Sequence, residues 1–310
     1  MAEVPGHLRD LVAQVRDAVE HDRSVAVRGR STGRILDHET TGRIPDVAVT
    51  APVGVLDFQP DEMIVRCGAG TGLDELRAVL AERGQRVDIA GAGTVGGALA
   101  RGWSDVHRLG RGPMRDMVLE TLLVDHRGRL VRAGGPTVKN VTGFDLIRVL
   151  VGALGTLGFF GELTLRTRPQ PLDARWFVID DVDAERVVEL QRRLFRPTSL
   201  LWNGTRLWVH LDGHPLDIDE AMAPFDAVPS HPPVLPPHRW SMPPDQCRRA
   251  ILGPDDIVEV GVGVVHRHSP EPRRAIPAPE IHQRLDAEFN PRHLLNPHIA
   301  RFGDRAAPRP

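Results

Sequence analysis

The stretch VKNVTGFDLIRVLVGALGTLGFFGELTLRTRP, from Val138 to Pro169, admits few folds. Asp145 is placed to cap a helix, because its carboxylate can accept the free N–H groups of a first turn. Leu146, Ile147, Val149, Leu150 and Val151 give that helix an apolar face broad enough for burial on most sides. Gly155-Thr156-Leu157-Gly158 breaks it. Phe159, Gly161, Leu163 and Leu165 then alternate with Phe160, Glu162, Thr164 and Arg166, the period of a strand, which Pro169 ends. Two glycines and a threonine in a turn between buried elements can leave backbone N–H groups for a ligand, or can be a glycine C-cap ahead of an ordinary strand.

Upstream, residues 8–21 read as an amphipathic helix and 24–28 as a strand that runs into Gly29-Arg30-Ser31-Thr32-Gly33. Such a loop puts N–H groups and two hydroxyls in one concavity, a nest for an anion such as a dinucleotide's diphosphate, although Gly- and Ser-rich turns are common. A strand is expected at 63–67 and a helix at 71–83, with Thr71 as its cap and Asp74 and Glu75 in its first turn. The strand 86–90 enters GAGTVGG. Gly91, Gly93 and Gly96 meet the G-x-G-x-x-G spacing of a nicotinamide-type fold, but Gly102 interrupts the following ALARGW after about one and a half turns, too short for a crossover helix. Residues 117–125 and 129–132 read as a hairpin turning at His126-Arg127-Gly128.

After Pro171 the pattern is that of a second α+β module: a strand at 176–179, a helix at 184–195, and a hairpin of 200–202 with 206–211 around Asn203-Gly204. The proline-rich stretch 228–244 reads as an exposed loop without an element of its own. Residues 248–252 read as part of a short helix, and 257–266 as a single strand. From Ala275 the chain carries the turn-forming pairs Asn290-Pro291 and Asn296-Pro297, and is expected to dock back before its end frays.

A chain of 310 residues can bury one large domain and a smaller one. Its 39 basic and 41 acidic residues give a net charge of −2, without the footprint of a nucleic-acid or anionic-membrane binder. Two cysteines, Cys67 and Cys247, argue against a disulfide framework and against a protein-held iron–sulfur cluster, which takes four thiolates. No apolar leader or spanning segment is recognisable, so the expected location is a reducing cytoplasm, with any association with the inner membrane made through partners.

The run from Lys139 to Pro171 resembles the end of the FAD-binding domain in flavoproteins of the vanillyl-alcohol oxidase (PCMH) type. The likeness extends to Gly91-Ala92-Gly93-Thr94-Val95-Gly96-Gly97, to Arg115-Asp116-Met117-Val118-Leu119 and, more faintly, to Arg28-Gly29-Arg30-Ser31-Thr32. Within that family the chain is most similar to the FAD-binding subunits of bacterial 2-hydroxy-acid dehydrogenase complexes, glycolate oxidase among them. The resemblance implies an α+β fold: an FAD-binding domain of two α+β subdomains at 1–171, a reduced cap-like α+β domain at 172–274 carrying the loop 228–244, and a docking segment at 275–310. It also implies FAD contacts from Gly29, Arg30, Ser31, Thr32, Gly93, Thr94, Gly96, Gly97, Asp116, Gly155, Thr156 and Gly158. In this family the glycines of GAGTVGG line the flavin, where a missing side chain lets the backbone approach, so a side chain at Gly96 or Gly97 is expected to block FAD more than it harms the fold. Asp116 can bond either the flavin or a neighbouring backbone group, and a local turn is the reading its position favours.

The loop Gly29 to Thr32 lacks the histidine or cysteine that covalently flavinylated relatives carry, which implies non-covalent FAD. Lys139 and Asn140 are the polar residues expected nearest the flavin edge, with capping or loop hydrogen bonds as their alternative. Phe144 stands where relatives usually have tyrosine, so a hydroxyl function there is lost. His266 and His268 share one face of the expected strand and suit either a metal pair or a solvated strand end. The second fits better, because no third ligand is identifiable and the metal-and-substrate histidine motif of catalytic relatives is missing; no metal site is expected. No Gly-x-Ser-x-Gly occurs. The reading is thus an FAD-dependent oxidoreductase subunit that works beside a larger flavoprotein subunit and an iron–sulfur subunit on a small 2-hydroxy acid. The alternatives are a free-standing FAD enzyme for another such acid, such as D-lactate, and a non-catalytic scaffold with the same fold.

Overall fold

In the computed structural model, which describes residues 4–29, 41–135, 145–247, 252–271 and 278–299, the part of the organising stretch from Asp145 onward forms the expected helix, glycine turn and strand, but the helix is only five residues long and ends at Leu150, before the expected break at Gly155. The Asp145 carboxylate caps the helix by accepting from the Arg148 N–H at 3.2 Å, and the strand follows the glycine turn. The chain forms two compact units: Met1–Trp103 with Met114–Pro169 and Arg273–Pro310, and Ser104–Pro113 with Gln170–Pro272.

In chain order, the first unit contains α1 (Arg9–Glu20), β1 (Val25–Arg28), β2 (Val47–Thr50), β3 (Val55–Gln59), β4 (Ile64–Gly68), α2 (Leu73–Ala81), β5 (Gln85–Arg86) and α3 (Val95–Arg101). A single turn, α4 (Arg108–Arg111), belongs to the second unit. The first unit resumes with β6 (Val118–Val124), β7 (Leu130–Gly134), α5 (Leu146–Leu150), β8 (Phe159–Arg166) and β9 (Arg168–Pro169). β1 and β2 pair in parallel beneath α1, whose Leu11, Val15 and Val19 pack on Val25 and Val49. β3, β4, β8, β6 and β7 lie in that order in an antiparallel sheet.

Because β8 is the middle strand of that sheet, it is buried from Phe159 to Leu165 on both faces, and the polar half of its alternation is enclosed as well. Glu162 is 4 % exposed and is held by His7 Nε2 at 2.6 Å and Arg66 at 3.3 Å. Thr71, expected to cap α2, instead clips Gly54: its hydroxyl donates to the Gly54 carbonyl at 3.1 Å and accepts the Gly54 N–H at 2.9 Å. Gly72 occupies the cap position without a side-chain bond. Of the strand expected at 86–90 only the short β5 forms, paired with β9. α3 has seven residues and ends at Gly102, so no crossover helix follows the glycine run.

The second unit adds β10 (Asp173–Ile179), α6 (Ala184–Arg193), β11 (Ser199–Trp202), β12 (Leu207–Gly213), α7 (Pro215–Met222), β13 (Val228–Ser230), β14 (His238–Ser241), α8 (Pro244–Cys247), β15 (Ile257–Glu259) and β16 (Val264–Arg267). Its seven strands run β13-β10-β12-β11-β15-β16-β14. Phe177, Leu200, Trp202, Val209, Val258 and Val265 form a core with Val187 and Leu190 of α6 and Ile218 and Met222 of α7.

Two expectations fail here for one reason, the pairing of distant strands. The proline-rich stretch supplies both edges of the sheet, β13 against β10 and β14 against β16, so it is not an element-free loop. Edge strands tolerate proline because half of their N–H groups face away from the ladder. Trp240 is stacked under Arg267 at 4.4 Å and Met242 packs on the core, while Val234 stays 94 % exposed. The stretch 257–266 is likewise a hairpin and not one strand, turning at Gly261 and Gly263. The expected helix at 248–252 falls largely outside the described residues, apart from Leu252. Back in the first unit, α9 (Pro279–Phe289) leads to a carboxy-terminal segment that lies beside β1.

Candidate cofactor site

The first unit holds a cavity of about 320 Å³ at the ends of β1, α3 and the glycine turn before β8. Gly29, Gly93, Thr94, Gly96, Gly97, Gly155 and Gly158 all line it, so three separate stretches of chain converge there. Thr94 anchors the wall: as N-cap of α3 it accepts the Gly97 N–H at 3.1 Å. Gly96 is needed for a close approach inside the protein, because a Cβ there would lie 2.8 Å from Ala69 Cβ and 2.9 Å from the Ala69 carbonyl oxygen, which itself accepts the Gly96 N–H at 2.8 Å. A side chain at Gly96 is therefore expected to press on Ala69 and cost stability as well as to act on FAD. Gly97 is exposed toward the cavity.

Other expected contacts are placed differently. Thr156 is buried and its hydroxyl donates to the Ala153 carbonyl at 2.8 Å, so it holds the turn and does not line the cavity. Asp116 lines a separate recess of about 120 Å³ with Arg115, Asp145 and Arg148, because the short 3₁₀ turn Met114–Met117 points it there. Arg30, Ser31, Thr32, Lys139, Asn140 and Phe144 lie outside the described residues. In the second unit, His266 is not at a solvated strand end: it is 5 % exposed and meets Glu259 at 2.8 Å, whereas His268 lies past β16 and is exposed. Glu259 also receives Arg239 at 3.2 Å.

Several cavity residues were not foreseen as such. Arg28 and Arg101 line it, as do Phe159, Phe160, Asn296, His298 and Ile299. The last three come from the far end of the chain. Asn296 donates its backbone N–H to the Val25 carbonyl at 2.7 Å, accepts the Val27 N–H on Oδ1 at 3.1 Å, and donates from Nδ2 to the Leu154 carbonyl at 2.8 Å. One buried side chain thus ties β1 to the glycine turn. Gly155, at φ +71°, leaves room for it, since a Cβ there would meet Asn296 Nδ2 at 2.5 Å. Asn290 in turn clamps Leu295, accepting its N–H and donating to its carbonyl at 3.2 Å each. The signal in the sequence was the pair Asn290-Pro291 and Asn296-Pro297, legible as turns but not as partners of a strand some 270 residues away.

Charge and shape suit a dinucleotide. Arg28, Arg101 and His298 line the cavity, and no carboxylate lines it among the described residues. Arg101 is steadied by its bond to the Ala92 carbonyl at 3.2 Å. Burial, and then the Arg28 charge, holds the His298 imidazole below the ordinary histidine range. The glycines provide a wall of backbone where an anion can approach, and Val27, Ala51, Phe159, Phe160 and Ile299 provide apolar surface for a flat ring. Residues 2–134 match the model of the FAD binding domain family, FAD_binding_4.

The match takes in Gly29, Gly93, Thr94, Gly96 and Gly97 of the cavity and so supports FAD as its ligand. The flavin domain also has relatives of known name. The chain is 28 % identical over 211 residues to the glycolate oxidase subunit GlcE of Escherichia coli, covering 66 % of this chain and 60 % of that protein. It is 32 % identical over 176 residues to a D-lactate dehydrogenase of Archaeoglobus fulgidus, covering 54 % and 39 %. To a D-2-hydroxyglutarate dehydrogenase of Stutzerimonas stutzeri it is 27 % identical over 190 residues, covering 59 % and 40 %. It thus spans about two fifths to three fifths of the length of these relatives. Among solved structures it shares the fold of an alkyldihydroxyacetonephosphate synthase, with a TM-score of 0.57 at 16 % identity over 73 % of this chain and 50 % of that one. No helix among the described residues is long and apolar enough to cross a membrane.

Proposed function

We propose that the chain binds FAD without a covalent link and serves as the FAD-binding subunit of a glycolate, or related 2-hydroxy-acid, dehydrogenase complex, beside a larger flavoprotein subunit and an iron–sulfur subunit. The observation that carries this reading is the cavity built from Gly29, the Gly93–Gly97 run, the Gly155–Gly158 turn and Asn296, with Arg28 and Arg101 facing into it. The bound flavin supplies hydride acceptance, and the protein binds and orients it. Arg28 and Arg101 would neutralise the diphosphate, and Phe159 and Phe160 would shield the ring from water.

Onward electron transfer calls for a partner. Both cysteines are buried, and burial, aided by the charges of Glu162 and Glu75, pushes the Cys67 thiol up to about 12, far from the thiolate an iron–sulfur cluster needs. A free-standing enzyme for D-lactate is the second reading, favoured by the similarity to the D-lactate dehydrogenase.

Acid precipitation of the flavin-loaded protein should leave the yellow colour in the supernatant. Dye reduction with glycolate or D-lactate should stay at background for the isolated chain and rise when the partner subunits are added. Colour retained in the denatured pellet would overturn the non-covalent assignment. Robust turnover by the chain alone would favour the free-standing enzyme.

A further inference from the structure

His298 sits in the flavin cavity in a way that neither a turn nor a packing role explains. Its backbone is held by one residue, Thr41: its carbonyl accepts the Thr41 N–H at 2.8 Å, and the preceding Pro297 carbonyl accepts the Thr41 hydroxyl at 2.7 Å. With the main chain held, the imidazole lines the cavity together with Arg28 from β1 and Arg101 from α3. Its Nδ1 is buried and has no hydrogen-bond partner among the described residues. A buried polar nitrogen without a partner is costly, and nearly all such groups find one in the working state of a protein. The His298 ring lines a cavity whose described lining carries positive charge and no carboxylate.

We propose that His298 is a contact for the diphosphate of the bound dinucleotide, donating a hydrogen bond from its imidazole and taking up a proton as the anion binds. The inference rests on the assignment of FAD to this cavity. In the free protein, burial and the Arg28 guanidinium keep the ring neutral near pH 7. A doubly charged diphosphate reverses that balance, since it offsets Arg28 and Arg101 and supplies the acceptor that the ring lacks. The proton comes from solvent. No bond in the cofactor changes, and the diphosphate keeps both charges between pH 6 and 8. Linkage then requires FAD affinity to rise as the pH falls, up to about tenfold per pH unit for one proton taken up.

The test uses the full chain stripped of flavin. Dissociation constants are read from the quenching of FAD fluorescence at pH 8, 7 and 6, with ADP and riboflavin titrated as competitors. Proton uptake is read by calorimetry in two buffers of different ionisation heat, a measurement that needs no variant. FAD and ADP should both bind roughly threefold to tenfold more tightly at pH 6 than at pH 8, with net proton uptake, and riboflavin should show no such trend. His298→Gln, checked for folding by circular dichroism, should bind FAD with an affinity that no longer depends on pH. Should His298→Gln fail to fold, His298→Asn provides the same comparison. Binding of FAD without pH dependence or proton uptake overturns the role of His298 and leaves the FAD site standing. A trend for FAD and riboflavin but not ADP overturns the diphosphate assignment. A trend that survives in the variant places the titrating group elsewhere and overturns the proposal too. Absence of any FAD binding is a different failure, that of the cofactor site itself.

Discussion

The cavity of the flavin domain and the polar row on the second unit's sheet are built from opposite materials. The cavity is mostly backbone and small residues, with Arg28, Thr94, Arg101, Asn296 and His298 as its polar side chains. The sheet row is made of side chains that strand register brings to one face. His210 lies opposite Ser199 and Trp176, Glu259 opposite Leu201, and His266 opposite Ile257 and Arg239. There the carboxylate of Glu259, 1 % exposed, takes both His266 and Arg239 on one oxygen, and Oε2 has no hydrogen-bond partner among the described residues. A site of backbone tolerates no added atoms, whereas a site of paired side chains tolerates no deletions.

The largest effect should come from a deletion in the row. Arg239→Ala leaves Glu259 with His266 alone and frees the Ser104 carbonyl that Arg239 bonds at 3.0 Å. Stability should fall by about 3–5 kcal/mol in urea unfolding, the range for breaking a buried ion pair from one side. A double change with Glu259→Gln should recover part of it. Equal losses in the single and double variants would show that the pair is not coupled and would remove the contrast.

Deleting a side chain should matter in the cavity only where one bridges backbones. Asn296→Ala abandons the Val27 N–H and the Leu154 carbonyl, so a loss of about 2 kcal/mol and a weaker hold on FAD are expected from thermal unfolding and fluorescence titration. Stability unchanged within error would mean that β1 and the glycine turn hold without it.

Addition is the sharper test of the backbone wall. Gly96→Val should cost about 1–3 kcal/mol in the flavin-free protein, since it drives a side chain into the Ala69 main chain. Gly97→Ala, one residue on, faces the cavity and meets only the Thr94 hydroxyl at 2.9 Å, so it should leave stability within about 1 kcal/mol and act on FAD affinity. If both variants lose stability equally, Gly97 is a packing glycine as well.

The smallest effect concerns pH. The folded-state pKa of His298 is lowered, so below the unfolded value near 6.5 the unfolded chain binds the extra proton first and stability falls as the pH drops. His126, lowered chiefly by burial, acts in the same sense. The flavin-free protein should therefore unfold at a lower temperature at pH 5.5 than at pH 7.5, and His298→Gln should reduce that difference. An unchanged difference in the variant would assign it to His126 or to another group.

What could be read from the sequence was local. The Asp145 cap and the strand Phe159–Arg166 follow from residues within one turn or one strand of each other, whereas the helix stops at Leu150, short of the expected break at Gly155. So does the shortness of α3, which excludes a crossover helix after the glycine run. The family resemblance added the cofactor, because glycine turns recur where a backbone must approach a ligand. The tertiary structure alone decided what distant segments do to one another. Pairing across the second sheet turned the proline-rich stretch into its two edges and split 257–266 into a hairpin, because a ladder can recruit residues of poor intrinsic preference. It enclosed His266 against Glu259, a partner seven residues away that an unbroken strand would have held out of reach. It also brought Asn296 and His298 back to β1, since a contact of such sequence separation leaves no periodic trace and is fixed only when the hydrogen bonds of one strand are completed by another.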